Sequence, residues 1–155
     1  MTIKQKLGAT VKFKKAKLPS KKFFRGMYVT LEPINISNHS KDLYNNFLRD
    51  KKNIIWKYLP YGPFKSYGSF KKWLKSFCLN KDPFFYVIYS KRHRQYCGIA
   101  SYLRITPEHG SIEVGHINYS PILQNTVEGT EAMYLMMKIL LKFLVIVDMS
   151  GSVTI

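Results

Sequence analysis

Of four short segments, the first and the last alternate apolar and polar residues, as half-buried β-strands do, and the middle two are rich in β-branched, aromatic and other apolar residues, which also favours strands. The segments are residues 27–33, 84–90, 96–105 and 112–117. Proline cannot donate to a β-ladder, so Pro33 is expected to end the first strand. The last three segments follow one another with short turns between them, and the sequence therefore predicts an antiparallel meander.

Three other segments carry apolar residues at helical spacing. The first follows the cap-forming residues 38–42, the second spans residues 66–79, and the third begins near Gly129 and ends near Phe143. A short apolar element at residues 54–59 lies between the first two helices. The order of strand, helices, three strands and helix predicts an α+β fold, with a mixed, mainly antiparallel central sheet and flanking helices.

Composition indicates a single domain with a hydrophobic core, because the chain has 155 residues and 46% hydrophobic content. Cys78 and Cys97 lie in apolar segments without metal-ligand spacing, so we expect reduced thiols, no metal site and a cytoplasmic protein. The apolar residues 132–147 are short for a membrane span and contain Lys138 and Lys142. Each lysine would cost roughly 2.5 to 3.5 kcal/mol at a bilayer centre, so no membrane association is expected.

Positive charge is concentrated at the N-terminus. The net charge is +16, and residues 1–26 hold nine of the 25 Lys and Arg residues and no acidic residue. We interpret them as a basic N-terminal extension. Such a segment can bind nucleic acid in a salt-dependent manner, or it can be an ordinary solvated extension. No helix-turn-helix, zinc-finger or RNA-recognition signature accompanies the charge.

The chemistry is expected at residues 111–143, which are predicted to form a strand, a polar turn and a helix. The first four N–H groups of a helix have no partner within it and carry partial positive charge, so a phosphate can bind there. Gly129 lets the backbone approach a ligand, and Thr126 or Thr130 can cap the helix. The turn consists of Gln124, Asn125, Thr126, Val127, Glu128, Gly129 and Thr130.

Several short motifs resemble the GNAT acetyltransferase superfamily, and its RimJ/RimL-like branch in particular. EVGHI, SPILQ and GTEAMYLMMK are similar to the fourth strand, pyrophosphate loop and third helix of that family. GMYVTLEP resembles its first strand, and WKYLPYGPF its acceptor-cleft segment. Gln124 and Gly129 match the ends of the family loop, and Val127 replaces its first glycine. Val127 can still donate its N–H in place of that glycine if its φ stays negative. The resemblance covers roughly residues 8–138.

This resemblance implies an acetyl-CoA-dependent N-acetyltransferase that acts on a primary amine, either a protein N-terminus or a small amine. It assigns the coenzyme diphosphate to the turn at residues 124–130 and the pantetheine arm to Ile117, Asn118 and Tyr119. Aromatic rings in a proline-containing loop can also form a rigid apolar wall that holds the acceptor beside its amine. The residues predicted to bind the acceptor are Tyr58, Tyr61 and Phe64.

Glu113 and His116 are the candidate catalytic bases. Strand alternation places them on opposite faces, so at most one would face the amine. A carboxylate could act through water, and a histidine titrates near neutral pH. Alternatively, Glu113 pairs with an arginine such as Arg104, and His116 is a structural residue of the sheet.

The C-terminal segment departs from the family, which continues after its third helix with further strands and a helix. We therefore expect a partial acetyltransferase domain at residues 27–143 and an aberrant tail at residues 144–155, although Leu144 to Val147 have strand propensity. Synonymous codons for residues 144–155 can be chosen so that reading from the third base gives GYRRYEWKCDN, which is similar to the next strand of the family. This suggests a frameshifted and truncated enzyme with weak or no turnover. The alternatives are a non-catalytic remnant or CoA-binding module, and a basic nucleic-acid-binding protein.

Overall fold

A five-stranded antiparallel sheet forms the centre of the fold, with its strands in chain order. The computed structural model describes residue 19 and residues 22–145, and only the backbone at residues 142–145. Most of the predicted basic extension and residues 146–155 of the predicted tail therefore lie outside the described residues. The strands are β1 (Phe24–Arg25), β2 (Val29–Pro33), β3 (Phe84–Ser90), β4 (Gln95–Thr106) and β5 (Ser111–Tyr119).

Three α-helices flank the sheet, and a short 3₁₀ turn at Ile54–Trp56 lies between the first two. The predicted α+β class is confirmed by this arrangement. None of the described helices is long and apolar enough to cross a membrane. The helices are α1 (Ile36–Phe47), α2 (Tyr67–Phe77) and α3 (Val127–Val145).

The core has two layers because strand side chains alternate between the faces of the sheet. Helix α3 covers one face, where Ala132, Met136 and Ile139 pack against apolar residues of the strands. Helices α1 and α2 cover the other face through Leu43, Phe47, Phe70 and Leu74. The candidate site residues of β5 lie on the last strand, at one edge of the sheet.

Three boundaries differ from the sequence predictions. Strand β1 falls within the predicted extension and pairs with β2. Helix α1 starts at Ile36, because the side chain of Asn35 caps it by accepting the Asn38 N–H. The predicted strand character at Leu144 and Val145 is wrong, since α3 continues through both residues. No glycine or proline follows Gly129 in this helix to stop it.

Helix α3 is attached to β2 by the carboxylate of Glu131. Its oxygens accept the N–H groups of Met27, Tyr28 and Val29 at 2.7, 2.7 and 2.8 Å. Gly26 lies beside this contact, and a Cβ there would lie 2.5 Å from the carboxyl group, so a larger residue would displace the Glu131 side chain. Burial acts to raise the pKa of Glu131, but the three N–H donors and nearby positive charge outweigh it and hold the pKa below its ordinary value.

Candidate functional site

A β-bulge interrupts the pairing of β5 with β4 near His116. Between the pairs Ser101–Gly115 and Ile99–Asn118, β5 contains one residue more than β4. His116 has a φ of 48°, in the left-handed region that side chains rarely adopt. Such bulges redirect side chains and leave the backbone out of register. β5 is also an edge strand of the described sheet, so part of its backbone faces away from any paired strand.

The bulge corrects the predicted placement of the two candidate bases on opposite faces. Glu113 pairs with Leu103 on the face covered by α1 and α2. His116 lies on that same face, because its ring contacts Phe77 and Phe85 at centroid distances of 5.3 and 5.5 Å. The extra residue shifts the alternation by one position, and that shift brings both side chains to one side of the sheet.

Glu113 and His116 nevertheless have different surroundings. Glu113 forms an ion pair with Arg104, and both side chains are largely exposed. The pairing with Arg104 that was considered from the sequence is thus observed. His116 lines the cleft described below, whereas Glu113 is not among its lining residues.

His116 is held by Tyr61. The Tyr61 hydroxyl lies 3.1 Å from His116 Nδ1, and the two rings are stacked with centroids 5.6 Å apart. Burial lowers the pKa of His116; Glu113 opposes this shift, and Arg104 adds to it. The imidazole is therefore neutral at pH 7 and able to accept a proton. Burial also raises the pKa of Tyr61, so its phenol stays protonated.

An open cleft of about 520 Å³ lies between β5 and the segment after α1. One wall consists of residues 115–119 of β5 with Gln124. The opposite wall overlaps the segment WKYLPYGPF, which resembles the acceptor-cleft segment of the family, and of its residues only Tyr58 was among the candidates. Ile54 of this wall is 59% exposed. That wall consists of Ile54, Ile55, Tyr58 and Leu59.

The three residues predicted to bind the acceptor do not form one surface. Tyr58 lines the cleft and is 86% exposed. Tyr61 lies behind His116, where it also packs on Trp73 with ring centroids 4.4 Å apart. Phe64 does not line the cleft and instead packs against Trp56 at 5.4 Å, because the proline-rich loop turns its ring into the core.

The loop after β5 is organised by Thr126, which caps α3. Its hydroxyl accepts the Gly129 N–H at 3.1 Å and donates to the Leu123 carbonyl at 2.7 Å. The expected role of Gly129 in approaching a ligand is therefore corrected. Gly129 is buried, and a Cβ would lie 2.6 Å from the Leu123 oxygen, so packing within the protein requires the glycine. The Thr130 hydroxyl donates to the carbonyl of Thr126.

Four consecutive amides precede the cap-bonded Gly129. Among the described residues, no acceptor lies within hydrogen-bonding distance of the N–H groups of residues 125–128. Asn125 has a φ of 55°, and Val127 has the negative φ that an N–H donor in place of a glycine requires. Val127 is 60% exposed, while the Glu128 side chain is buried. This helix start therefore has the free donors expected of an anion site.

The remaining predicted coenzyme residues surround this helix start and the cleft. Gln124 does not extend towards a ligand, because its Nε2 donates to the Tyr119 carbonyl at 3.0 Å. The Tyr119 hydroxyl donates to the Gly129 carbonyl at 2.9 Å. Ile117 is 43% exposed at the edge of β5. Asn118 is buried in the cleft wall, and its two side-chain polar atoms have no partner among the described residues.

Comparison with known proteins identifies the family. The sequence matches no protein-family model and no curated protein. One similar structure is a probable acetyltransferase of the GNAT family from Chromobacterium violaceum ATCC 12472. The two proteins share 31% sequence identity and superpose with a TM-score of 0.79, over 92% of this chain and 71% of that one. This chain belongs to the GNAT family of acetyltransferases. The GNAT family predicted from the sequence is thus confirmed.

Two further structures extend the comparison of this GNAT protein. A GCN5-related N-acetyltransferase from Brucella melitensis is 28% identical with a TM-score of 0.80, over 84% of this chain and 59% of that one. The chain thus spans less than two thirds of the length of the Brucella protein. A ribosomal-protein-S5-alanine acetyltransferase from Vibrio fischeri is 19% identical with a TM-score of 0.55, over 77% of this chain and 67% of that one. That likeness shows the fold alone.

Proposed function

We propose that this GNAT protein transfers an acetyl group from acetyl-CoA to a primary amine. The observation that carries the proposal is the run of unpartnered amides at residues 125–128, beside a cleft that contains a neutral histidine. Family membership supports acetyl transfer to an amine in general. Assignment to the RimJ/RimL-like branch, with a protein N-terminus or a small amine as acceptor, belongs to the same proposal and is supported by the resemblance of the segment WKYLPYGPF to that branch.

The described residues fit the coenzyme. The amides of residues 125–128 would hold its diphosphate, because N–H groups at a helix start bind anions without basic side chains. The exposed edge of β5 at Ile117 and Tyr119 would hold the pantetheine arm. Buried amide groups without partners are uncommon in proteins, so the side chain of Asn118 is suited to a polar group of a bound molecule or to water.

His116 is the proposed base. When bound, acetyl-CoA supplies a thioester whose carbon–sulfur bond is exchanged for a carbon–nitrogen bond to the acceptor, with release of the thiol. If Nδ1–H donates to the Tyr61 oxygen, Nε2 has a free lone pair. That nitrogen would take one proton from the acceptor ammonium, and the attacking nitrogen would lose a second proton to the departing thiolate, so the amide keeps one N–H and the protons balance. Glu113 is less suited as the base because Arg104 occupies its carboxylate.

The proposal is tested by removing one amide without disturbing the helix. Val127 is the first residue of α3, and proline is well tolerated at that position although it has no N–H. We expect Val127→Pro to weaken acetyl-CoA binding about tenfold or more, because a hydrogen bond to a charged group contributes roughly 1.5 to 3 kcal/mol. Calorimetric titration measures the affinity, and the ligand-induced rise in melting temperature provides a second readout.

Val127→Ala is the matched control, since it removes the same side chain but keeps the N–H. We expect it to bind acetyl-CoA like the wild type. Equal binding by the proline and alanine variants would refute the assignment of these amides to the coenzyme. Absence of acetyl-CoA binding by the wild type, or of acetyl transfer to any amine under mass-spectrometric detection, would refute the proposed function itself. The reduced turnover predicted from the sequence is measured in the same assay.

A further inference from the structure

The wall of the cleft opposite β5 carries positive charge at its rim. Lys57 lies between the lining residues Ile55 and Tyr58, and its ammonium group is 5.4 Å from the centre of the Tyr58 ring. Lys51 and Lys52 are exposed just before the same 3₁₀ turn. The cation of Lys57 is thus located against the ring that forms part of the cleft wall.

In the described part of the chain, the carboxylates near this wall do not balance the charges of Lys51, Lys52 and Lys57. Asp50 accepts the N–H groups of Lys52 and Ile55 at 3.2 and 2.8 Å, so it supplies one negative charge beside three lysines. Glu113 is paired with Arg104. The residues that line the cleft include no Asp or Glu. A second positive charge brought into the cleft would therefore meet repulsion, and a negative charge would meet attraction.

We propose that the preferred acceptor is an amine flanked by carboxylates, such as a peptide with acidic residues directly after its N-terminus. This inference rests on the proposed function and names the acceptor class of the same site. A cleft of about 520 Å³ is roughly 8 Å across, which two or three extended residues span. Acidic side chains in the second and third positions would then reach Lys57 while the amine lies near His116. A polyamine, which carries further positive charges, is disfavoured at this rim.

Equilibrium binding tests the inference independently of catalysis. Three peptides with C-terminal fluorescein begin with serine, followed by two glutamates, two glutamines or two lysines, and are otherwise identical. In fluorescence anisotropy at about 0.1 M salt, we expect the acidic peptide to bind roughly three- to tenfold more tightly than the neutral one, and the basic peptide to bind most weakly. In Lys57→Glu, the preference for the acidic peptide should be lost or reversed.

Lys72→Glu is the matched control, since Lys72 is exposed on the outer side of α2 and the change in net charge is the same. It should keep the preference for the acidic peptide. An equal loss of preference in the Lys72 and Lys57 variants would overturn the inference, because net charge alone would then explain the binding. Equal affinity for the three peptides, or no binding of the acidic one, would overturn it as well.

The same variants separate this inference from the coenzyme assignment. If Lys57→Glu abolished the acetyl-CoA-induced rise in melting temperature and left the peptide preference intact, Lys57 would serve the coenzyme and the inference would be wrong. If no peptide were acetylated but the acidic preference persisted and depended on Lys57, the acceptor class would stand while the proposed function would fail.

Discussion

The backbone conformation and the ring position of His116 are both fixed by neighbouring residues. The bulge gives it a positive φ, and Tyr61 fixes the ring from one side while Phe77 and Phe85 enclose it from others. A residue held at positive φ without a glycine is strained, and such strain is common near functional sites. The sequence could identify His116 as a candidate because it is a titratable residue in a strand. It could not show which face His116 would occupy.

The pKa of His116 can be measured directly. We expect proton NMR titration to give a value below the ordinary 6.5, because burial disfavours the charged imidazolium. The resonance is assigned by its loss in His116→Gln. If acetyl transfer depends on this base, kcat/KM should be flat above pH 6.5 and fall below it as His116 gains a proton.

Tyr61→Phe provides the control for that titration. It keeps the stacked ring but removes the hydroxyl group 3.1 Å from Nδ1, so the titration midpoint should move while the fold is retained. A midpoint at or above 6.5 in the wild type, or an unchanged pH profile in His116→Gln, would contradict the assignment of this residue as the base.

Helix α3 and the start of strand β2 are held together by the Glu131 side chain, which accepts the amides of Val29 in the strand and of Met27 and Tyr28 just before it. Periodicity predicted the strand and the helix separately, and the sequence contained both Glu131 and the GMYV segment. It did not indicate their contact, because the two are about a hundred positions apart.

We expect Glu131→Gln to lower the free energy of unfolding by about 1 to 2 kcal/mol at pH 7, since a partly exposed carboxylate is replaced by a neutral amide that accepts fewer hydrogen bonds. The folded-state pKa of Glu131 is lowered, so its contribution is fully present above pH 4.5 and is lost as the pH falls through the folded value. Urea unfolding at pH 7 and near pH 3 measures the difference, which should shrink at the lower pH.

Glu108→Gln makes the same chemical change at an exposed position in the turn between β4 and β5. Its effect on unfolding should lie within about 0.5 kcal/mol of the wild type. A loss in Glu131→Gln no larger than in this control, or one that does not depend on pH, would show that the contact contributes little.

The whole molecule carries a large excess of positive charge, with 25 basic and 9 acidic residues. In the described part of the chain, only Arg104 forms an ion pair with a carboxylate apart from the buried His39 and Glu32 contact. Most exposed lysines therefore repel one another without compensation. Self-repulsion of this kind destabilises a compact state, and dissolved salt screens it.

Salt should consequently stabilise the protein. We expect the melting temperature to rise by a few degrees between about 0.02 and 0.5 M sodium chloride, which corresponds to roughly 1 kcal/mol for a chain of this size. Differential scanning calorimetry measures the shift. A double variant, Lys72→Glu with Lys75→Glu, reduces the charge on the outer side of α2 and should show a smaller salt effect. A melting temperature that falls with salt would show that attractive pairs dominate.

The sequence by itself determined the fold class, most strand and helix positions, and the family, because these depend on periodicity and on short motifs within neighbouring residues. It also predicted a phosphate-binding turn at residues 124–130 and named Glu113 and His116 as candidate bases. Only the tertiary structure decided the bulge that moves His116 beside Glu113, the role of Gly129, and the second cleft wall with Lys57. These features depend on strand register and on packing between distant segments, which local pattern does not encode.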